Sequence, residues 1–394
     1  MRVSTLGFQT DASNQMQSLE AEITQTQTEL STGIALQNAA DNPAAMAQVT
    51  QLNAQISASK QYQTNGSALN SNLQIEEQSL SDATTTMQSA RDLAVEANNA
   101  ALTPSQRQDI STQLQQLLQQ MVSTANSTDS NGNFLFSGET NTTQPFSQTG
   151  SSVAYNGSTS VSQVQISSNQ RISSGDSGAN VFMNIPGGNG TFTTAVGAAN
   201  TGTATIDTGT VTNASQWVPD TYTITFTDAT DYTVTNSAGP VTSGTYTSPG
   251  TITFNGISTT VTGTPAAGDT FTVAPAGTSS AFSTISNLIT ALNNPNLSSA
   301  QLTSQVGTTL EQMDAAVSNF SNVSASVGAR INAITASGTT ATASQTAMTG
   351  QVTSLQDVDY AAATTQLSTQ ELALQAAQES YASIAKMSLF SYLQ

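Results

Sequence analysis

Apolar positions along the first third of the chain recur at helical spacing. Met16, Leu19, Ile23, Thr26 and Leu30 follow one another by threes and fours, the seam of a coiled coil. Gly33 ends that run. Asn42 is placed to cap the next helix, with Pro43 at its first position, where a missing N–H costs nothing. A long pattern follows through Val49, Leu52, Ile56, Leu69, Leu73, Leu80, Ala83, Met87, Ala90 and Ala94. Its weakly apolar stretch at Asn65-Gly66 marks a place for a kink. Thr103-Pro-Ser-Gln106 matches a capping box, predicting a third helix with Ile110, Leu114, Leu117, Met121 and Ala125 on one face.

The far end mirrors this. Ser298-Ser-Ala-Gln301 is another capping-box match, followed by Leu302, Val306, Leu310, Met313, Val317, Phe320, Val327, Ile331 and Ile334. The small, polar stretch from Ser337 to Gly350 predicts a hinge. Tyr360, Ala363, Leu367, Gln370, Leu374, Ala377, Tyr381 and Ile384 then step by threes and fours, one Gln interrupting an otherwise apolar seam. In the centre, alternation takes over: Tyr222, Ile224 and Phe226 share one strand face, and Val234, Ile252, Phe254, Phe271 and Val273 belong to similar short runs. Asn156-Gly157 and Asn255-Gly256 read as two-residue hairpin turns. Residues 137–278 hold 18 of the 26 Gly and 7 of the 10 Pro, residues that punctuate strands and avoid helix interiors. The fold class is therefore mainly α with an inserted, antiparallel β region.

Composition narrows the chemistry. Among 394 residues there is neither His nor Cys, which removes serine and cysteine triads, thiol redox chemistry and the usual zinc sites. Seven Lys and Arg against 25 Asp and Glu give a net charge of −18, with no basic residue between Arg171 and Arg330. No basic cluster exists to neutralise nucleic-acid phosphates or meet an anionic membrane. No apolar run approaches the roughly 20 residues of a spanning helix. The start of the chain lacks the apolar core of a cleavable secretory signal.

Carboxylate pairs are the remaining route to catalysis. Glu76-Glu77 read as a solvated helix face, and Asp357 and Asp359 as helix-capping charge. Asp220, Asp228 and Asp231 lie among turn residues without the spacing of a calcium loop. Gly187-Gly188 and Asn189-Gly190 are turn signals outside any phosphate-cradling context. No catalytic, cofactor or metal residues are expected. The terminal seams carry more: narrow, Ala- and Gln-rich helices at chain ends are marginal alone and order when they bury against other copies.

Met1-Arg-Val-Ser-Thr5, Leu30-Ser-Thr-Gly33, Asp41-Asn-Pro-Ala-Ala45 and Asn133-Phe-Leu-Phe-Ser-Gly138 resemble the N-terminal half of the flagellin superfamily. Leu355-Gln-Asp-Val-Asp-Tyr-Ala361, Leu374-Gln-Ala-Ala-Gln-Glu-Ser-Tyr381 and Ser388-Leu-Phe-Ser-Tyr-Leu393 are similar to its hook–filament junction branch. The resemblance spans about 1–140 and 280–394. It departs at Ile34, Ala35 and Leu36, where basic residues are usual, and at Ser391, where an acidic residue is common.

What the resemblance implies is a non-enzymatic structural subunit of the bacterial flagellum, an adaptor joining hook to filament. A terminal coiled coil would comprise 1–40 and 350–394, a helical rod with a hairpin 41–145 and 279–349, and outward β domains 146–278. It implies a homo-oligomeric ring contacting a hook-side junction protein and flagellin, with no nucleic acid and no membrane. It also implies export without a cleavable signal to an extracellular place in the flagellum. The self-assembly seam would be Met16, Leu19, Ile23, Leu30, Leu367, Leu374, Tyr381 and Ile384. An export chaperone would hold Leu374, Tyr381, Ile384, Leu389, Phe390 and Leu393. A filament flagellin is the nearest alternative, although its Leu-Leu-Arg type tail is missing. A secreted carbohydrate-binding or carbohydrate-hydrolysing protein with a working β domain is the alternative from another class.

Overall fold

The computed structural model describes residues 5–99, 101–197, 199–297 and 299–390. Among the described residues six α-helices order the chain: α1 (Thr5–Thr32), α2 (Pro43–Ala97), α3 (Pro104–Ala125), α4 (Ala281–Leu292), α5 (Ser299–Gln356) and α6 (Tyr360–Phe390). Two compact units result, Met1–Thr64 with Ser337–Gln394, and Asn65–Ala336.

Helix starts follow the local chemistry. The Asn42 side chain accepts the Ala45 N–H at 3.1 Å, with Pro43 opening α2. Thr103 and Gln106 form the complete capping box of α3. Ser298 lies outside the described residues, so the second box is not seen. The α3 core face holds Ile110, Leu114, Leu118, Met121 and Ala125, with Leu117 half-buried.

Both stretches marked for a kink or a hinge lie inside continuous helix: α2 runs through Asn65-Gly66, and Ser337 to Gly350 is helical within α5. The two compact units divide at these places, after Thr64 and before Ser337. The polarity of Ser337 to Gly350 is used for packing. Gln63 Nε2 on α2 donates to Thr342 Oγ1 (2.8 Å) and to the Gly338 carbonyl (3.3 Å), and Gln345 Nε2 reaches Ser59 Oγ at 3.0 Å. Side chains of this size and polarity let the two helices bond across their contact.

Unit Asn65–Ala336 contains two cores. The first lines α2 with Leu69, Leu73, Leu80, Ala83, Met87, Ala90 and Ala94, which share one buried cluster with residues of α3, α4 and the first half of α5. Helix α4 is absent from the sequence-based expectation. Its Ser280–Ser283 capping box lacks the usual Glu or Gln, yet Phe282, Ile285, Leu288 and Ile289 are all buried. Four short strands and a fifth extended piece join this core: β1 (Phe146–Thr149) pairs β2 (Ser152–Tyr155), β3 (Gln163–Gln165) pairs β4 (Arg171–Ser173), and β5 (Ile185–Pro186) follows a π-turn at Ala179–Met183. Phe182 on that turn is the hub of an aromatic cluster, its ring centroid 5.1 Å from Phe136, 5.5 Å from Phe146, 5.7 Å from Phe282 and 5.4 Å from Phe320. The β1–β2 turn is Gly150-Ser151, where Gly150 takes φ +62°; Asn156-Gly157 follows β2 and is not the predicted hairpin turn.

The second core is a β-sandwich. Its strands are β6 (Phe192–Val196), β7 (Thr205–Ile206), β8 (Thr210–Val211), β9 (Tyr222–Phe226), β10 (Asp231–Asn236), β11 (Gly239–Thr245), β12 (Gly250–Phe254), β13 (Ile257–Thr262) and β14 (Thr270–Pro275). One sheet runs β11-β10-β9-β14-β6; the other has β13 between β12 and the short β7 and β8. Every described pairing is antiparallel. Tyr222, Ile224 and Phe226 point inward with Val234, Ile252, Phe254, Phe271 and Val273, as alternation predicts. Asn255-Gly256 makes the β12–β13 turn with both φ angles positive, 43° and 74°. The chain enters and leaves this sandwich through one door. Strand β15 (Thr278–Ser279) pairs β5, and Gly187 N–H bonds the Gly277 carbonyl at 2.9 Å.

Candidate assembly surface

Helices α1 and α6 come from opposite chain ends and lie side by side, antiparallel. A short crossing fixes their common end. Gly33, with φ +73°, closes α1 by donating to the Glu29 carbonyl at 2.8 Å. Ile34 then bridges Asp357, Ala35 N–H donates to the Gln356 carbonyl (2.7 Å) and Val358 N–H to the Gly33 carbonyl (3.0 Å). The positive φ favours glycine at position 33, where a side chain would also place its Cβ 3.0 Å from the Tyr360 hydroxyl. The Asp359 side chain starts α6 by accepting the Ala361 and Ala362 N–H groups.

From that end the two predicted seams meet each other. Met16, Leu19, Ile23 and Leu30 are half-buried, as are Leu367, Leu374 and Tyr381, whereas Thr26 and Ala363 are fully buried. Each seam thus has a partner within its own chain. Ile384, Leu389 and Phe390 fall within α6, but their side chains, like Leu393 entirely, lie outside the described residues. Beside the seam runs a shallow groove lined by Leu19, Ala362, Thr365, Gln366, Thr369 and Ala373, none of them charged.

The carboxylates divide between turns and one buried cluster. Asp220 accepts the Ser237 hydroxyl at 2.6 Å and the Thr221 N–H at 2.7 Å, which hold its carboxyl below the ordinary range. Asp228 is lowered likewise by Thr230 and the Asp231 N–H. The Asn189 side chain caps its own turn through the Thr191 and Phe192 N–H groups.

Glu76 overturns the solvated-face expectation. It is 2% exposed, its Oε1 accepts the Asp176 N–H at 3.0 Å, and Asp176 is ion-paired with Arg330 of α5. Glu77 is half-buried and accepts the Ser324 hydroxyl. Helical periodicity could have flagged Glu76, since it lies three residues after Leu73 and four before Leu80 on the buried stripe. Among the described residues no three carboxylates converge as a metal cage, and no helix is long and apolar enough to cross a membrane.

Comparison with known proteins follows this division of the chain. Residues 3–142 match the bacterial flagellin N-terminal helical region and 310–393 the bacterial flagellin C-terminal helical region. The sandwich, 196–275, matches the D2-like domain of flagellar hook-associated protein 1. Flagellar hook-associated protein 3 of Salmonella typhimurium is 31% identical over 185 residues, 47% of this chain; the match spans 58% of that relative's length. The crystal structure of flagellar hook-associated protein 3 from Legionella pneumophila superposes with a TM-score of 0.74 at 31% identity, covering 78% of this chain and 98% of that one. FlgL of Xanthomonas campestris gives a TM-score of 0.70 at 30% identity, over 76% and 98% of the two chains. Both flagellin terminal regions, the α1–α6 pair they build and the near-complete coverage of these solved structures agree: the chain belongs to the flagellin superfamily, in the flagellar hook-associated protein 3 (FlgL) family.

Proposed function

We propose that this chain is a structural, non-enzymatic subunit of the bacterial flagellum, the adaptor at the junction of hook and filament. The observation that carries this reading is the antiparallel pairing of the two chain ends, α1 with α6, through the regions that match the flagellin termini. In this reading residues 1–40 and 350–394 form a terminal coiled-coil domain, 41–145 and 279–349 a helical rod, and 146–278 the β region, of which β1 to β5 pack with the rod helices and the sandwich is the outward part. Copies assemble as a ring outside the cell. One face meets a hook-side junction protein and the other flagellin, after export without a cleavable signal. The test is negative-stain microscopy of the purified chain mixed with hook fragments. A collar at the hook tip is expected, and bare hooks at saturating protein overturn the reading.

The seam residues serve twice. Before assembly, Leu374, Tyr381, Ile384, Leu389, Phe390 and Leu393 bind an export chaperone; afterwards Leu367, Leu374, Tyr381 and Ile384 pack with Met16, Leu19, Ile23 and Leu30 in the assembled ring. An amphipathic helix held in a partner's groove masks such apolar surface. Replacing Leu374 and Ile384 with Asp removes two apolar contacts worth about 1.5–3 kcal/mol each, so chaperone affinity should fall at least about tenfold. Unchanged affinity in calorimetric titration refutes the chaperone role.

A further inference from the structure

We propose that Glu76 is a proton-operated clasp: with its proton in place it ties the 174–178 turn to α2 and α5, and loss of that proton releases the turn. Three elements meet here. Asp176 donates its N–H to Glu76 Oε1 at 3.0 Å, Arg330 pairs with the Asp176 carboxylate, and Arg330 Nη1 donates to the Gly175 carbonyl at 3.1 Å. The turn sits so close that a Cβ on Gly175 would lie 3.3 Å from Glu76 Oε2. What the clasp holds is the route into the aromatic core. Gly178 N–H bonds the Phe136 carbonyl (2.8 Å), and Asn319 Nδ2 bonds the Val181 carbonyl (2.9 Å) beside Phe182.

The cluster has two carboxylates and one guanidinium, so with both acids ionised it buries a net negative charge. Burial first, and then the Asp176 carboxylate, push the Glu76 carboxyl well above its ordinary range, against the opposing pull of Arg330 and of the Asp176 N–H bond. Glu77, next along α2, faces the Ser324 hydroxyl of α5 and supplies no positive charge. For an acid raised in the folded state, the stabilisation is full below the unfolded value. It is lost as pH rises through the folded one. The clasp is therefore closed in acid and loosens toward alkaline pH.

Amide hydrogen exchange on the full chain between about pH 5 and pH 9 tests this, with rates corrected for intrinsic base catalysis. Protection at Asp176, Gly178 and Val181 should fall with rising pH, by up to about tenfold per unit between the ordinary carboxyl value and the raised folded one, and level off above the latter, the signature of a single proton. Glu76→Gln keeps the acceptor and should make protection independent of pH. Asp176→Asn removes the neighbouring carboxylate and should move the midpoint to lower pH. Flat protection in the unmodified chain, or an unchanged slope in Glu76→Gln, overturns the proposal.

Discussion

Thr26 on α1 and Gln370 on α6 meet side chain to side chain, 3.0 Å apart, as a polar layer in the seam that joins the two chain ends. Thr26 is 2% exposed, and its Oγ1 also lies 3.0 Å from the Glu22 carbonyl oxygen. One hydroxyl has one proton. Both bonds coexist when Gln370 turns its NH2 toward Thr26 and the hydroxyl donates to Glu22. A lone polar layer costs stability relative to Leu, but it fixes which turn of one helix faces which turn of the other.

That layer predicts opposite signs for single and paired changes. Gln370→Leu alone should lower the melting midpoint, costing about 1 kcal/mol, because Thr26 keeps a buried lone pair without a donor. Thr26→Val combined with Gln370→Leu should restore or exceed the original stability, since no polar group is left behind. Thermal melts followed by far-ultraviolet circular dichroism decide it. Additive losses in the pair would show that the two residues are not coupled.

Gly33→Ala should destabilise the helix pair by about 1–2 kcal/mol, the penalty for a left-handed backbone with a Cβ. Part of the loss should come from the Tyr360 hydroxyl, 3.0 Å from the added carbon. Adding Tyr360→Phe should recover that part and no more. Full recovery in the double variant would show that backbone angle is not the main cost.

Deleting 190–276 should leave the helical core folded. The β5–β15 pair and the Gly187–Gly277 bond already bring the cut ends together. Trp217 is the sole tryptophan, and its ring lies 5.6 Å from Phe192 and 5.7 Å from Tyr222 in the sandwich core. In the intact chain its fluorescence should therefore report sandwich unfolding, while helical dichroism reports the rest. Loss of helical signal in the deletion variant, or coincident transitions under all conditions, would make the sandwich integral to the helices.

Acid should weaken the sandwich. Asp220 and Asp228 are held below their ordinary value by the hydrogen bonds of their turns. The stabilisation they give is present above the unfolded pKa of about 3.9 and is lost as pH falls through the lower folded value. The urea midpoint read by Trp217 should drop between about pH 6 and pH 3. Asp220→Asn with Asp228→Asn should reduce that drop, and an equal drop in the double variant counts against these two groups.

Much of this architecture was legible in the chain itself. Gly33, Asn42-Pro43 and Thr103 with Gln106 set helix ends through backbone angles and orphan N–H groups a few residues away, so their neighbours in sequence sufficed. The alternation of Tyr222, Ile224 and Phe226 chose the inward face of a strand for the same reason. Tertiary structure decided matters that depend on a partner far along the chain. Glu76 is buried because Asp176 and Arg330, about 100 and 250 residues on, close over it. Ser337 to Gly350 is helical because Ser59 and Gln63 supply partners for its polar side chains. Strands β1 to β4 belong with the helices because Phe146, Ile166 and Ile172 find their apolar surroundings there, and α4 is a helix whose weak capping signal is outweighed by burial. Local geometry is written in neighbouring residues; the burial of a side chain is set by whatever the folded chain brings against it.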